Sequence, residues 1–340
     1  MLHLHDAKNI INMLKDPQYW HISYKAIKSM LGKRSPFYGS ADVTNYCNLH
    51  CSHCYWWASR NSSLQELSVE GWKHVIDEVF KKRYNVVHVY LLGGEPYLRP
   101  DVIELFSNEM YGKCTVVTNA TLPIKFFKGI VLYIFSVDGP REVHDMIRGK
   151  TYDRARQNIV EFTSTYGKKG KGFYTTVNVT INSLNYKHVA EMVKEWYGIV
   201  EGIVFQFHTP FSENDPLWLP FGRERDVLID ELIRLKREHY EFILNTEAQL
   251  NVSRKPWGNR CPNWMCIAVD AFGRIKSPCS MGSADPNMPS PICERCGCLG
   301  NCLAYTYGLR GDPSREYDVY ARGMMGNDSI HFRPSLHTTG

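Results

Sequence analysis

The chain has 340 residues, 44% of them hydrophobic and 22% charged, with 40 Lys and Arg against 35 Asp and Glu for a formal net charge of +5. That mixture excludes wholesale disorder, and the mild, mixed charge gives nucleic-acid binding no support. The strongest apolar run, Ile130 to Phe135, is far short of the roughly 18 residues a membrane span needs, and Met1–His5 lacks the charged-then-apolar pattern of a secretory signal, so a cytoplasmic protein is expected.

In chain order, residues 1–36 read as a helical arm with stripes at Ile10, Ile11 and Leu14, then Tyr24, Ile27, Met30 and Leu31. Lys25, Lys28, Lys33 and Arg34 lie nearby, so the arm either packs on the body of the protein or rests peripherally on an anionic membrane. Apolar runs follow at Ser40–Thr44, Val86–Leu92, Cys114–Thr118, Val131–Val137, Val177–Ile181 and Ile203–Phe207. Helical periods separate them: Trp72, Val75, Ile76, Val79 and Phe80 after a Ser68 cap, then Tyr152, Ala155, Ile159 and Phe162, then Val189, Met192, Val193 and Trp196. Leu228, Leu232 and Leu235 open a longer helix reaching about Leu244. Alternating strands and helices predict an α/β fold, a partial (βα)6 TIM-like barrel over residues 37–250 whose active rim is the C-terminal ends of its strands. Residues 251–310 form a small extension and 311–340 a tail.

Cysteine usage sets the chemistry. Of 11 cysteines, Cys47, Cys51 and Cys54 cluster early and Cys261, Cys266, Cys279, Cys293, Cys296, Cys298 and Cys302 late, while Cys114 stands alone as a small core residue. Close spacing without a secretion signal argues for metal ligands rather than disulfides. Cys47-x3-Cys51-x2-Cys54 follows the first strand; three thiolates suit a [4Fe–4S] cluster with one iron open to a reactant, and zinc completed by His50 or His53 is the alternative. Gly93-Gly94-Glu95-Pro96 follows the second strand, Thr118-Asn119 ends the third, Ser136 and Asp138 end the fourth, and Gln206 and His208 end the sixth.

The three-cysteine loop, the Gly-Gly-Glu-Pro turn and Ser136-Val-Asp138-Gly-Pro together resemble the radical S-adenosylmethionine (SAM) superfamily over about Tyr38–His208. The resemblance implies a cluster held by Cys47, Cys51 and Cys54, and SAM cleaved to a 5′-deoxyadenosyl radical that abstracts hydrogen from a substrate. By the same resemblance Glu95, in the turn with Pro96, accepts from the methionyl ammonium, and Gly93 and Gly94 let the backbone come close to the ligand. Ser136 and Asp138 face the ribose, Thr118 and Asn119 line the carboxylate end, and Arg148, in His144-Asp-Met-Ile-Arg148-Gly, faces the SAM carboxylate. An electron donor such as flavodoxin or ferredoxin and an oxygen-poor cytosol are also implied.

The late cysteines resemble the auxiliary-cluster extension called SPASM, or its short form, twitch. The likeness implies one cluster on Cys261, Cys266, Cys279 and Cys302 and a second on Cys293, Cys296 and Cys298. Cys296 and Cys298 are one residue apart where the full extension has about five, so one auxiliary [4Fe–4S] cluster, two, or a zinc knuckle all remain open.

Substrate contacts are expected from His208–Phe221, a long loop with Phe211, Trp218 and Phe221, in which His208 is the candidate proton donor or acceptor. The arm and Pro256-Trp257-Gly258-Asn259 loosely resemble adenosylhopane synthase and other lipid-acting members, which points first to an apolar isoprenoid or lipid chain. The alternatives are a side chain of a ribosomally made peptide, a tetrapyrrole, or, outside enzymology, an iron–sulfur electron carrier.

Overall fold

The computed structural model describes residues 17–30, 34–56, 64–167, 172–306 and 308–311. The first half of the expected arm and almost all of the tail lie outside them. The described part of the arm is helix α1, Pro17–Met30. It is tied to the body by the buried Lys25, whose Nζ donates to the carbonyls of Pro36 and Tyr84 at 2.6 and 2.7 Å.

Seven strands form one sheet: β1 Tyr38–Thr44, β2 His88–Gly93, β3 Cys114–Thr118, β4 Ile130–Ser136, β5 Tyr174–Ile181, β6 Gly202–Phe207 and β7 Cys266–Val269. Their order is β6-β5-β4-β3-β2-β1-β7, and every neighbouring pair is parallel. Parallel neighbours need crossovers, and these are α2 (Val69–Val75, continued as a π-helix over Ile76–Arg83), α3 (Pro100–Glu109), α4 (Arg141–Arg148), α5 (Tyr152–Tyr166) and α6 (Val189–Trp196). α7 (Arg223–Glu238), α8 (Glu247–Val252) and α9 (Leu299–Thr306) follow β6.

The expected stripe of α2 is buried as spaced, and the Ser68 hydroxyl accepts from the Gly71 N–H at 3.2 Å. A Cβ on Gly39 would stand 2.7 Å from Phe80, so that glycine lets the helix sit close on β1. Cys114 is fully buried in the core, as expected. The core lies between the outer sheet face (Ala41, Val43, Val89, Leu91, Val116, Phe135) and Trp72, Phe106, Ile159, Trp196 and Leu232 of the helices. Alternation then turns Ser40, Asp42 and Thr44 of β1 to the other, inner face.

Three features depart from the six-unit expectation. The β3–β4 connection contains no helix. α3 follows β2 unannounced by a long apolar stripe, although Pro100 at its first position and Asp101 in its first turn are start signals. Finally, the extension is not a separate appendage: β7 pairs Tyr38 with Cys266 through Ala41 with Val269, covering the free edge of β1. A hairpin turn at Phe272-Gly273-Arg274 follows it, with Gly273 at φ +83° and the Lys276 N–H donating to the Ala268 carbonyl at 2.9 Å.

Candidate active site

The ends of β1 to β6 bring the early motifs together. Gly94 N–H donates to the Thr44 carbonyl at 2.9 Å and Glu95 N–H to the Tyr46 carbonyl at 2.8 Å, so the Gly-Gly-Glu-Pro turn holds the start of the cysteine loop. A Cβ on Gly94 would lie 1.8 Å from the Tyr46 oxygen, and Gly93 has φ +112°. The close approach that these glycines permit is therefore to the loop itself. The far side of the loop is tied to α4, where Ser52 N–H donates to the Ile147 carbonyl at 2.8 Å. Cys47, Cys51 and Cys54 are half-buried thiols outside any disulfide.

Glu95 is 1% exposed. Its Oε1 accepts from the Thr118 hydroxyl at 2.7 Å and the Tyr97 N–H at 3.0 Å, and its Oε2 from the Asn119 N–H at 2.8 Å. Burial raises its pKa against these three donors. A carboxylate offers about four acceptor sites, so one remains, on Oε2. Asn119 also reaches the cysteine loop through Asn48 Oδ1 at 2.9 Å. Pro96 starts the short turn behind Glu95, and Ser136 is buried at the end of β4.

Asp138 and Arg148 pair with each other. Arg148 Nε donates to Asp138 Oδ2, and its Nη1 lies 3.9 Å from Cys51 Sγ. Asp138 Oδ1 accepts from the Thr180 N–H at 2.8 Å, while His53 Nε2 stands 3.5 Å from Oδ2. Burial opposes the charge on Asp138, yet the guanidinium and His53 hold its pKa below the usual carboxylate value. Burial pushes His53 down to about 4, so it is neutral at physiological pH. His208 sits next to this group, its ring 6.3 Å from His53 and its Nε2 2.8 Å from Asp215 Oδ2.

The sequence reading missed a second buried pair. Lys276 Nζ lies 2.6 Å from Asp42 Oδ2, the two side chains being 2% and 0% exposed, with the rings of Tyr55 and Trp56 within 6 Å of the ammonium. Burial, partly offset by Lys276, raises Asp42 to about 6, and its Oδ1 has no partner. The only sequence signal was a charge inside the apolar pattern of β1. Of the loop aromatics, Phe211 stacks on Tyr55 at 6.0 Å, whereas Trp218 packs on Arg295 of the extension at 4.4 Å.

The Radical SAM superfamily model matches residues 42–196. Residues 42–196 form a radical SAM domain. The antilisterial bacteriocin subtilosin biosynthesis protein AlbA of Bacillus subtilis is 24% identical over 299 residues, covering 80% of this chain and 62% of AlbA. The chain thus spans less than two thirds of that relative. The AdoMet-dependent heme synthase of Methanosarcina barkeri is 26% identical over 262 residues, covering 69% of this chain and 73% of the synthase. Among solved structures, Streptococcus suis SuiB bound to precursor peptide SuiA has a TM-score of 0.60 at 15% identity, covering 81% of this chain and 67% of SuiB, a likeness of fold.

A radical SAM protein works with SAM and a [4Fe–4S] cluster, and the residues here fit both. Three thiols on one loop, none in a disulfide, supply three iron ligands and no fourth cysteine follows within the motif. Beside them Glu95 is a buried carboxylate with no ion-pair partner among the described residues and one free acceptor site, the chemistry a ligand ammonium completes.

Cys261, Cys279, Cys293, Cys296 and Cys298 line a common cavity with Gly258, Met281 and Asn301. Cys266 is held in β7 beside Tyr38, and the Cys302 thiol, on α9, points to the Gln249 carbonyl at 3.8 Å. Both stay close to the group: Cys302 packs with Cys261 and Cys296, and Cys279 and Cys298 are near enough to Cys266 to help raise its pKa. Burial raises every one of these thiols, Cys279 and Cys302 to about 12. Among the described residues, no three His, Cys, Asp or Glu stand as a ready site for a single metal ion.

Proposed function

We propose that the protein is a radical SAM enzyme that modifies a polypeptide side chain, with one auxiliary iron–sulfur cluster in the C-terminal cavity. The observation that carries the chemistry is the convergence of the three thiols of Cys47, Cys51 and Cys54 on the buried, cation-lacking Glu95 turn. When bound, the cluster and SAM supply a 5′-deoxyadenosyl radical that takes a hydrogen atom from the substrate. The protein's own share is placement. Cys47, Cys51 and Cys54 hold the cluster, Glu95 Oε2 accepts the methionyl ammonium, and Thr118 and the Asn119 amide fix that carboxylate. Arg148 balances Asp138 and lends positive charge to Cys51.

Peptide chemistry is favoured over the apolar chain first expected. AlbA, named for bacteriocin biosynthesis, is similar over 80% of this chain, and SuiB is a peptide-binding protein of the same fold. The inner face of β1 carries Ser40 and the Asp42–Lys276 pair, and buried charge disfavours a hydrocarbon ligand. Among the described residues no helix is long and apolar enough to cross a membrane. The heme synthase relative supports a tetrapyrrole as the second reading.

Anaerobic reconstitution with dithionite and SAM tests the proposal through 5′-deoxyadenosine. Cys47→Ala, Cys51→Ala and Cys54→Ala should each abolish product while keeping part of the iron; product from any of them, or loss of all iron in each, contradicts it. Capped peptides, but not iron coproporphyrin, should perturb the spectrum of the SAM-bound protein.

A further inference from the structure

Arg225, on the first turn of α7, is 1% exposed. Its Nη1 donates to the Leu219 carbonyl at 3.0 Å, but Nε and Nη2 are buried without any hydrogen-bond partner. The guanidinium lies between two rings, 3.9 Å from the centroid of Phe207 and 4.5 Å from that of Phe221. No carboxylate among the described residues forms an ion pair with it. A buried cation with two idle donors is expensive, since desolvating an ion costs several kcal/mol unless an anion compensates. Burial lowers its pKa to about 10, opposed by the nearby Cys296 and Asp226.

What lies beyond Phe207 supplies the missing charge. A Cβ on Gly297 would stand 1.8 Å from the Phe207 oxygen, and the Gly297 N–H donates to Thr209 Oγ1 at 2.8 Å. The end of β6 is thus pressed directly against the Cys296-Gly297-Cys298 turn, and Arg225 is stacked on the ring of the same Phe207. An iron–sulfur cluster on four thiolates is a net anion, and hydrogen bonds toward its sulfurs tune its potential.

We infer that Arg225, stacked on the Phe207 ring behind the Cys296-Gly297-Cys298 turn, is the counter-cation of the auxiliary cluster, and that it raises the reduction potential there. The inference rests on the auxiliary-cluster reading above. Arg225 is a positioning residue: it sets how readily the centre holds an electron and makes no contact with substrate. Its cationic charge is stranded in the metal-free protein and compensated in the loaded one.

The test uses the full chain, reconstituted and metal-free, with Arg225→Met and Arg225→Lys. In EPR-monitored redox titrations, Arg225→Met should move the auxiliary centre to a more negative potential, disfavouring reduction at least tenfold, about 59 mV for one electron. Arg225→Lys, which keeps the charge, should move it less, and the Cys47–Cys54 centre should not move in either. Thermal unfolding provides a second readout should Arg225→Met load poorly. The methionine variant should be at least as stable as the parent without metal and less stable with it. An auxiliary potential that stays put, both centres shifting equally, or a loss of stability that is the same with and without iron overturns the inference. A parent protein that binds iron for one cluster only overturns the auxiliary-cluster reading as well, so the two failures are told apart.

Discussion

The two cysteine groups differ in what surrounds their thiols. The front loop is positioned by backbone before any metal arrives: Gly94 and Glu95 bond to Thr44 and Tyr46, Ser52 bonds to Ile147, and Arg148 brings positive charge to Cys51. The rear group is braced by backbone too, Ile292 N–H donating to the Pro210 carbonyl at 2.9 Å and Gly297 N–H to Thr209 Oγ1 at 2.8 Å. Burial disfavours the thiolate in both groups, and most strongly at Cys261, Cys266 and Cys296 of the rear. The thiols that burial holds furthest from the thiolate form gain most from a bound metal. Metal loading should therefore stabilise the rear of the molecule more than the front.

The largest expected effect tests that contrast. Cys261→Ala should remove the rear cluster and about half the iron, and erase most of the gain in melting temperature that iron confers. Cys266→Ala and Cys302→Ala, off the cavity wall, should keep iron content within about a tenth of the parent. Equal iron loss in all three variants, measured by iron and sulfide analysis, would restore the ligand grouping implied by spacing.

At the front, Gly94→Ala should cost more than about 4 kcal/mol, because the new methyl would meet the Tyr46 oxygen at 1.8 Å and that neighbour is backbone rather than a mobile side chain. Gly112→Ala is the control: its Cβ meets nothing within 4 Å, although its φ of +73° adds ordinary left-handed strain. Denaturant midpoints decide, and a Gly94→Ala midpoint equal to that of Gly112→Ala would mean the loop is not braced by this turn.

A smaller effect is expected at Arg148. Arg148→Met leaves Asp138, fully buried, without its cation, which costs about 3–5 kcal/mol. Asp138→Asn combined with Arg148→Met removes both charges and should recover more than half of that loss. Additive losses in the double variant would show that the two residues act separately.

Much of the front site was legible because its spacing is local. Three cysteines within eight residues and a Gly-Gly-Glu-Pro turn at a strand end need no tertiary knowledge to be placed together. The rear was not legible in the same way. Seven cysteines allow many groupings, and it is tertiary packing that brings Cys261, Cys279, Cys293, Cys296 and Cys298 to one cavity. The charged residues that matter were hidden too. Arg225 reads as the polar face of an amphipathic helix, and only packing shows it enclosed between two rings. Asp42 and Lys276 are 234 residues apart, so nothing local joins them.

The smallest effect sharpens the comparison from beneath the rear group. His88 begins β2, with its Nε2 2.7 Å from Thr115 Oγ1 and its ring 5.1 Å from Tyr90; Tyr90 in turn packs on Tyr38, whose hydroxyl donates to Asn301. Burial depresses His88 to about 4 from 6.5. The unfolded chain therefore binds the proton first as pH falls, so the contribution of this histidine is complete above pH 6.5 and is lost as acid approaches pH 4. From pH 7.5 to 5 the loss is about 2 kcal/mol. His88→Gln keeps a partner for Thr115 and cannot titrate, so its stability should fall less with acid and the gap between variant and parent should close by that amount at pH 5. Because Asn301 also holds Cys261, iron at the rear should become easier to remove by chelator in the parent over the same pH interval, and less so in His88→Gln. Front iron should leave at one rate in both proteins, since Cys47, Cys51 and Cys54 are held by the opposite ends of the strands.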